Sequence, residues 1–295
     1  MDIKAAIKER VLAGGMDLFG VASVDRFHES PKGKHPTEIL PGCKSVIVIG
    51  VALLDGIVQA NFRAFEDGRN DLKGLYGTYG YTMLPNFELT YACYSTAKFI
   101  EREFGAVATP LSTGPMTNGA QISIRHAAVA AGLGEFGWAS IVLTPEYGLR
   151  QRFGVILTTL ELEADPMYNG PKLCNPEVCH VCTDVCPTGA IGLYGSENTR
   201  TCTVGDKTFT YGKVDFPKCM LPTQGMRKEY GGREDYCDTN APTMKDIQAA
   251  RAKMPISEGG LQHGESWHCG RCQSYCPVGK WQERFSERGL SSRKA

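Results

Sequence analysis

The reactive side chains of this chain are concentrated in two cysteine runs. The first, CNPEVCHVCTDVCP, spans 174 to 187, and the second, CGRCQSYCP, spans 269 to 277. Both close on Cys-x2-Cys-x3-Cys-Pro, the core of the spacing by which bacterial ferredoxins hold cubane clusters. A four-iron cube needs thiolates at adjoining corners. Two-residue gaps let one short loop supply them, while the cysteine before proline is directed to a second cube. The runs contain seven cysteines: Cys174, Cys179, Cys182, Cys186, Cys269, Cys272 and Cys276. Two cubes take eight ligands, so the last comes from Cys202, Cys219 or Cys237. The crossing rule groups Cys174, Cys179 and Cys182 with Cys276, and Cys269 and Cys272 with Cys186 and the eighth ligand. Cys-x2-Cys pairs also build zinc sites. Zinc, however, explains neither the repeated Cys-x3-Cys-Pro nor the surplus cysteines. Iron–sulfur chemistry is the expectation.

Other candidates are weaker. The residues Gly132 to Gly137 match G-x-G-x-x-G, but dinucleotide binding requires a strand before the glycines and a helix after them. Here an alanine-rich helix precedes and the strand-like ASIVLT follows, which argues against a nicotinamide site. Tyr76, Tyr79 and Tyr81 crowd the stretch LYGTYGYTMLP, where they either line a pocket or cover a core. His180 and His268 flank cluster cysteines and could donate to sulfur. His126 lies on the helix before Gly132 and could face either a cofactor or the core.

Composition sets limits on the function. The chain has 295 residues, 42% of them hydrophobic, enough for a sizeable core in two domains. Its 32 basic and 32 acidic residues balance, which gives no support to nucleic-acid or membrane-surface binding. The N-terminal stretch is a charged amphipathic helix without a signal-peptide core, and no apolar stretch is long enough to span a bilayer. A cytoplasmic location follows, where 12 cysteines are expected to be metal ligands rather than a disulfide frame.

The positioning elements read as follows. Residues 2–13 repeat apolar positions as a helix stopped by Gly14 and Gly15. Strands are expected over 18–24 and in SVIVIGVALL (45–54), whereas 55–85 shows no clear period. Asn86 can cap a helix running to Gly105, with Cys93 on its apolar face as a core thiol. A short strand AVATP, a glycine-rich loop over 110–120 and a helix to Ala131 follow. Ser140–Thr144 and Phe153–Leu160 read as strands around a Pro145–Gly148 turn. Alternating strands and helices define an α/β sandwich over 1–165. From 166 to 295 the periodic pattern gives way to Cys, Pro and Gly, with a hairpin at 202–214 and a helix at 244–254 capped by Thr243 and Asp246.

The segment AVAAGLGEFGWASIVLTPEYGLRQRFGVILTTLEL (128–162) resembles one shared by reductive dehalogenases and epoxyqueuosine reductases. As in those proteins, it leads into two ferredoxin-like cysteine runs, with Cys186-Pro-Thr-Gly-Ala-Ile and a late Gly-x2-Cys-x3-Cys-Pro. The resemblance makes Cys219, after Asp-Phe-Pro-Lys, the eighth ligand. It implies a nitroreductase-like cobalamin-binding core followed by a ferredoxin-like domain with two [4Fe-4S] clusters. It further implies an oxidoreductase in which the clusters pass electrons to a base-off corrinoid that reduces a small organic substrate. Gly132, Leu133, Gly134 and Gly137 would contact the cofactor, Tyr81 (or Tyr79) would serve as acid, and Asn118 would hold the substrate. A low-potential donor such as ferredoxin or flavodoxin would supply electrons. The chain departs from the family in the Cys174–Cys179 gap, in lacking the C-terminal helical extension of epoxyqueuosine reductases and in lacking the twin-arginine leader of respiratory dehalogenases. These departures suggest a separate branch. The alternatives are an electron-transfer protein serving a partner enzyme, or a flavin-containing reductase.

Overall fold

The computed structural model describes residues 2–81, 83–111, 121–254 and 269–279. Its centre is a four-stranded sheet built from β1 (Leu18–Ser23), β2 (Ser45–Ala52), β3 (Ala108–Pro110) and β6 (Gln151–Thr158), in the order β1-β2-β6-β3. Every neighbouring pair in it is antiparallel. The register aligns Ile47 with Val21 on one side and with Ile156 on the other.

β2 is buried on both faces, which is why it reads as an unbroken apolar run. Its odd-numbered residues Ile47, Ile49 and Val51 meet Ile7 and Val11 of the helix Ile3–Ala13 and Leu89, Cys93 and Ile100 of the helix Leu84–Phe104. Its even-numbered residues Val46 and Val48 meet the alanines of the helix Ile124–Ala130 and, further along the chain, Val204 and Tyr211. Each such side chain, fully buried, contributes roughly 1.5–3 kcal/mol of transfer free energy.

Local signals account for most element ends. Asp2 caps the first helix by accepting from the Ala5 amide at 3.1 Å. The helix Leu84–Phe104 ends on Gly105 at φ 63°. Its start differs from the expectation. Pro85 occupies the first turn, and Asn86 lies inside the helix, where its Oδ1 accepts from Arg152 Nε and Nη2 at 3.2 Å. The stretch without a clear period contains a helix, Asp55–Glu66, whose buried positions are Val58, Asn61 and Ala64. A polar residue in the middle of that face hides the period. Beyond it, Tyr76–Tyr81 forms a π-helical turn.

β4 (Glu135–Phe136) and β5 (Val142–Leu143) form a small hairpin whose turn is Gly137–Ile141. The expected second hairpin is present as β7 (Thr199–Val204) and β8 (Lys207–Gly212), turning at Gly205 with φ 57°. It closes over the central sheet's α-helical face through Val204 and Tyr211. The helix Met244–Lys253 carries the expected capping box of Thr243 and Asp246. It packs with Met220, Leu221 and Cys237 in a separate small core.

Candidate functional site

The second cysteine run is clamped onto the sheet region. Arg150, just before β6 and only 2% exposed, donates to the carbonyls of Gln273 (3.3 Å), Cys276 (3.0 Å) and Val278. Asn61 donates to the Cys269 carbonyl at 3.1 Å and to Ser274 Oγ at 2.8 Å. The buried Tyr76 hydroxyl donates to Gln273 Oε1 at 2.6 Å, and Gln273 Nε2 donates to the Leu149 carbonyl at 3.0 Å. The first run is tied to β4, where Glu135 Oε1 accepts from the amides of Leu173 (2.6 Å) and Cys174 (3.1 Å).

These ties bring the thiols into two groups. Burial pushes Cys182 up to about 12, and Cys174, Cys276 and Cys179 raise it further. Cys276 is pushed up to about 11, again by burial first, with Cys174 and Cys179 among the groups that raise it. Cys272 lies well above the ordinary thiol range through burial, then through Cys269, Cys219, Cys182 and Cys186. Cys269 is pushed up to about 12 by burial, with Cys219 and Cys186 adding to the rise. The outer group is thus Cys174, Cys179, Cys182 and Cys276. The inner group is Cys186, Cys219, Cys269 and Cys272. Cys219 sits on the helix Phe216–Thr223, whereas Cys202 lies on β7 beside Tyr211 and Cys237 is in the small core. Of the three candidates for an eighth ligand, only Cys219 is a neighbour of the inner group.

The donor set fits iron–sulfur clusters. All twelve cysteines are free thiols. Clustered buried thiols resist ionisation, and bound metal cations reverse that by stabilising the thiolates. Four sulfurs bound to one zinc would lie about 4 Å apart. Among the described residues, no three His, Cys, Asp or Glu side chains converge closely enough to hold a single metal ion. Amides point at the sulfurs: Trp138 N–H at Cys174 Sγ (3.3 Å) and Ala190 N–H at Cys186 Sγ (3.2 Å). Such bonds tune cluster potential.

A cavity of about 540 Å³ takes in the space between the four inner cysteines, where a cluster would sit, and extends beyond them. Tyr81, the Ala139–Ile141 turn, Ile191, Val214 and Phe216 line it too. Ser140 holds φ at 62°, the single positive value outside glycine among the described residues, and Arg125 Nη1 donates to both its carbonyl and its hydroxyl. Strain of this kind collects at functional sites. The guanidinium of Arg152 lies 4.8 Å from the centre of the Tyr81 ring. Burial raises the Tyr81 phenol, Arg152 opposes the rise, and Cys219 and Cys272 add to it.

Other expected residues fall elsewhere. Tyr79 is 47% exposed and borders a different cleft, with Asp17, Asp55 and Glu88. Gly132, Leu133, Gly134 and Gly137 are not among the residues lining the cavity. The structure shows these glycines in close backbone packing. A Cβ on Gly132 (φ 77°) would meet the Pro166 carbonyl oxygen at 2.1 Å, and one on Gly134 would meet that of Leu143 at 1.8 Å. Gly134 and Gly137 let β4 and β5 approach and so set the Ala139–Ile141 turn, while Gly132 makes room for the backbone at Pro166. His126 donates to or accepts from Ser123 Oγ at 2.6 Å and packs edge-on to Phe136. His180 precedes the short helix Val181–Asp184. Asn118 and His268 lie outside the described residues. The cavity's cations Arg125, Arg200 and Lys213 were not foreseen, because they are scattered in sequence and only the fold assembles them.

Comparison with known proteins places this arrangement among reductases. No family model matches the chain. It is 31% identical over 280 residues to an epoxyqueuosine reductase of Gloeobacter violaceus, covering 92% of this chain and 68% of that one. It is 28% identical over 180 residues to a tetrachloroethene reductive dehalogenase of Desulfitobacterium hafniense, covering 60% of this chain and 28% of the dehalogenase. Among solved structures, epoxyqueuosine reductase from Bacillus subtilis superposes with a TM-score of 0.56 at 16% identity, over 94% of this chain and 65% of that one. A catabolic reductive dehalogenase superposes at 0.51 with 20% identity, over 74% of this chain and 28% of the other. These structures share its mixed α/β fold. The chain belongs to the epoxyqueuosine reductase family and is an oxidoreductase. Among the described residues no helix is long and apolar enough to cross a membrane.

Proposed function

We propose that the chain is a cytoplasmic, corrinoid-dependent iron–sulfur reductase of a small organic substrate. Residues 1–165 form a nitroreductase-like core that receives the corrinoid and substrate, and 166–295 form a ferredoxin-like domain carrying two [4Fe-4S] clusters. The outer cluster is held by Cys174, Cys179, Cys182 and Cys276, and the inner by Cys186, Cys219, Cys269 and Cys272. The observation that carries this reading is the cavity, whose wall includes all four inner cysteines together with Tyr81. The cavity runs past the four inner cysteines to Tyr81, Ile191, Val214 and Phe216, and that extent beyond the thiols favours a reductase over a carrier that only relays electrons.

A bound corrinoid supplies one-electron and two-electron reducing chemistry. The protein's part is positional. Ile141, Ile191, Val214 and Phe216 give the cavity its apolar wall area. Gly132, Leu133, Gly134 and Gly137 act on the cofactor through the turn they shape. Tyr81 keeps its proton at neutral pH, because burial disfavours the phenolate, and delivers it from its hydroxyl to the reduced product. Asn118 hydrogen-bonds the substrate. Electrons enter at the outer cluster from a low-potential donor such as ferredoxin or flavodoxin. The test is anaerobic reconstitution with iron, sulfide and cobalamin, followed by metal analysis and a visible spectrum. About eight irons and one cobalt per chain are expected; irons without retained cobalt refute the corrinoid, and a flavin spectrum would put that cofactor in its place.

A further inference from the structure

Apart from its four cysteines, the charged side chains of the cavity are all cations. Arg125, Arg200, Lys213 and Arg271 line it, and no carboxylate does among the described residues. None of the four cations forms an ion pair among the described residues. Arg271 stands apart from the other three. It stacks on Phe65, with its guanidinium 4.6 Å from the ring centre, and lies beside Cys269, so its charge serves the inner cysteines.

Arg125 and Arg200 act together at the other end. Both line the cavity with Tyr211, and both lower His126, Cys202 and Tyr211. Arg200 and Tyr211 are cross-strand partners in the β7–β8 ladder, which puts their side chains on one face. Tyr211 is only 1% exposed and lines the cavity, and its buried hydroxyl has no conventional hydrogen-bond partner. The Cys202 thiol beside it is a weak substitute. Tyr81 lies elsewhere on the wall, facing Cys219, Cys272 and Arg152. The chamber therefore has a reducing end and a cationic end. Two guanidiniums lining one cavity and a phenol O–H whose present partner is the Cys202 thiol match a planar carboxylate or a phosphate, which accepts several N–H and O–H bonds at once.

We propose that Arg125, Arg200 and Tyr211 form an anion-binding site at the cationic end of the cavity, which takes a carboxylate or phosphate group. Carried by the substrate, that group makes the substrate class small organic anions and fixes the reducible bond at a set distance towards Tyr81 and the inner cysteines. The inference rests on the cavity being the reaction chamber, and the test separates the two.

Protein reconstituted with its clusters but without corrinoid is titrated calorimetrically with inorganic phosphate and with benzoate. Both bind. R200Q, a change at an exposed position on β7, weakens them about tenfold or more, and Y211F weakens them about fivefold, with iron content unchanged. Parent protein that binds neither anion, or R200Q or Y211F that binds as tightly as the parent, overturns the site. Iron and cobalt counts on the same samples report separately on the reductase reading. Retention of cobalamin and of cobinamide, which lacks the nucleotide phosphate, then identifies the source of the anion. Equal retention of both by R200Q assigns the site to the substrate. Loss of cobalamin alone assigns it to the cofactor's own phosphate.

Discussion

Arg150→Met tests whether the second cysteine run is held by the sheet or holds itself. The guanidinium is buried and serves the buried carbonyls of Gln273 and Cys276 and the part-buried one of Val278. Methionine keeps most of the volume but leaves those acceptors unsatisfied. Bonds to a charged donor are worth about 1.5–3 kcal/mol each, and coupled losses do not add fully, so the expected destabilisation is about 3–5 kcal/mol. Much of it falls on the local attachment of 269–279, since the partners all lie there. A local opening made easier by about 3 kcal/mol speeds access to the clusters by about a hundredfold. The assay is anaerobic iron release to a ferrous chelator, alongside urea unfolding monitored by far-UV circular dichroism. R150M that unfolds within about 0.5 kcal/mol of the parent and releases iron at the parent rate refutes the clamp.

C219S is expected to bind about four irons where the parent binds about eight, while C237S binds as the parent does, because Cys237 is packed in the small core; iron and sulfide analysis decides. Y81F should lower kcat by roughly 100-fold to 10,000-fold with little change in KM, measured with chemically reduced enzyme, and an unchanged kcat would remove Tyr81 from proton delivery. His126 is depressed to about 4 by burial first and then by Arg125 and Arg200, so the folded state binds a proton less readily than the unfolded one. The stability this contributes is complete above about pH 6.5 and is lost as pH falls towards 4, at up to about 1.4 kcal/mol per pH unit. H126N should flatten that part of the urea-midpoint profile; parallel profiles for the two proteins would show that His126 does not set the slope.

How much could be read in the sequence depends on the range of the interaction. Cysteine spacing is local, so seven of the eight expected ligands and their division into two groups could be written down from the runs and the crossing rule. Cys219 needed the resemblance, since nothing in its neighbourhood of sequence marks it. The strand β2 and the capped helix Met244–Lys253 were legible for the same local reason. The helix Asp55–Glu66 was not: its inward face includes Asn61, which is polar because it reaches across to Cys269 and Ser274. The glycines of 132–137 match a ligand-binding pattern, yet their missing side chains make room for the backbones of Pro166 and Leu143. The cationic end of the cavity is invisible in sequence, because Arg125 and Arg200 come from a helix and a hairpin that meet only through the fold.

Neither thiol group belongs to one run. The inner group spans Cys186 to Cys272 and the outer spans Cys174 to Cys276, so during synthesis the first run emerges from the ribosome as a set of donors with no completed partner. The inner set closes when residue 272 emerges and the outer when residue 276 does, after nearly the whole sheet region has had time to fold. On the proposed ligand sets, metal loading is therefore a late event in synthesis that waits for Cys272 and Cys276. Until then the nascent chain exposes thiols that oxygen or a neighbouring cysteine can consume. A cell making it must protect the unfinished product, and premature termination anywhere before residue 269 leaves neither set complete.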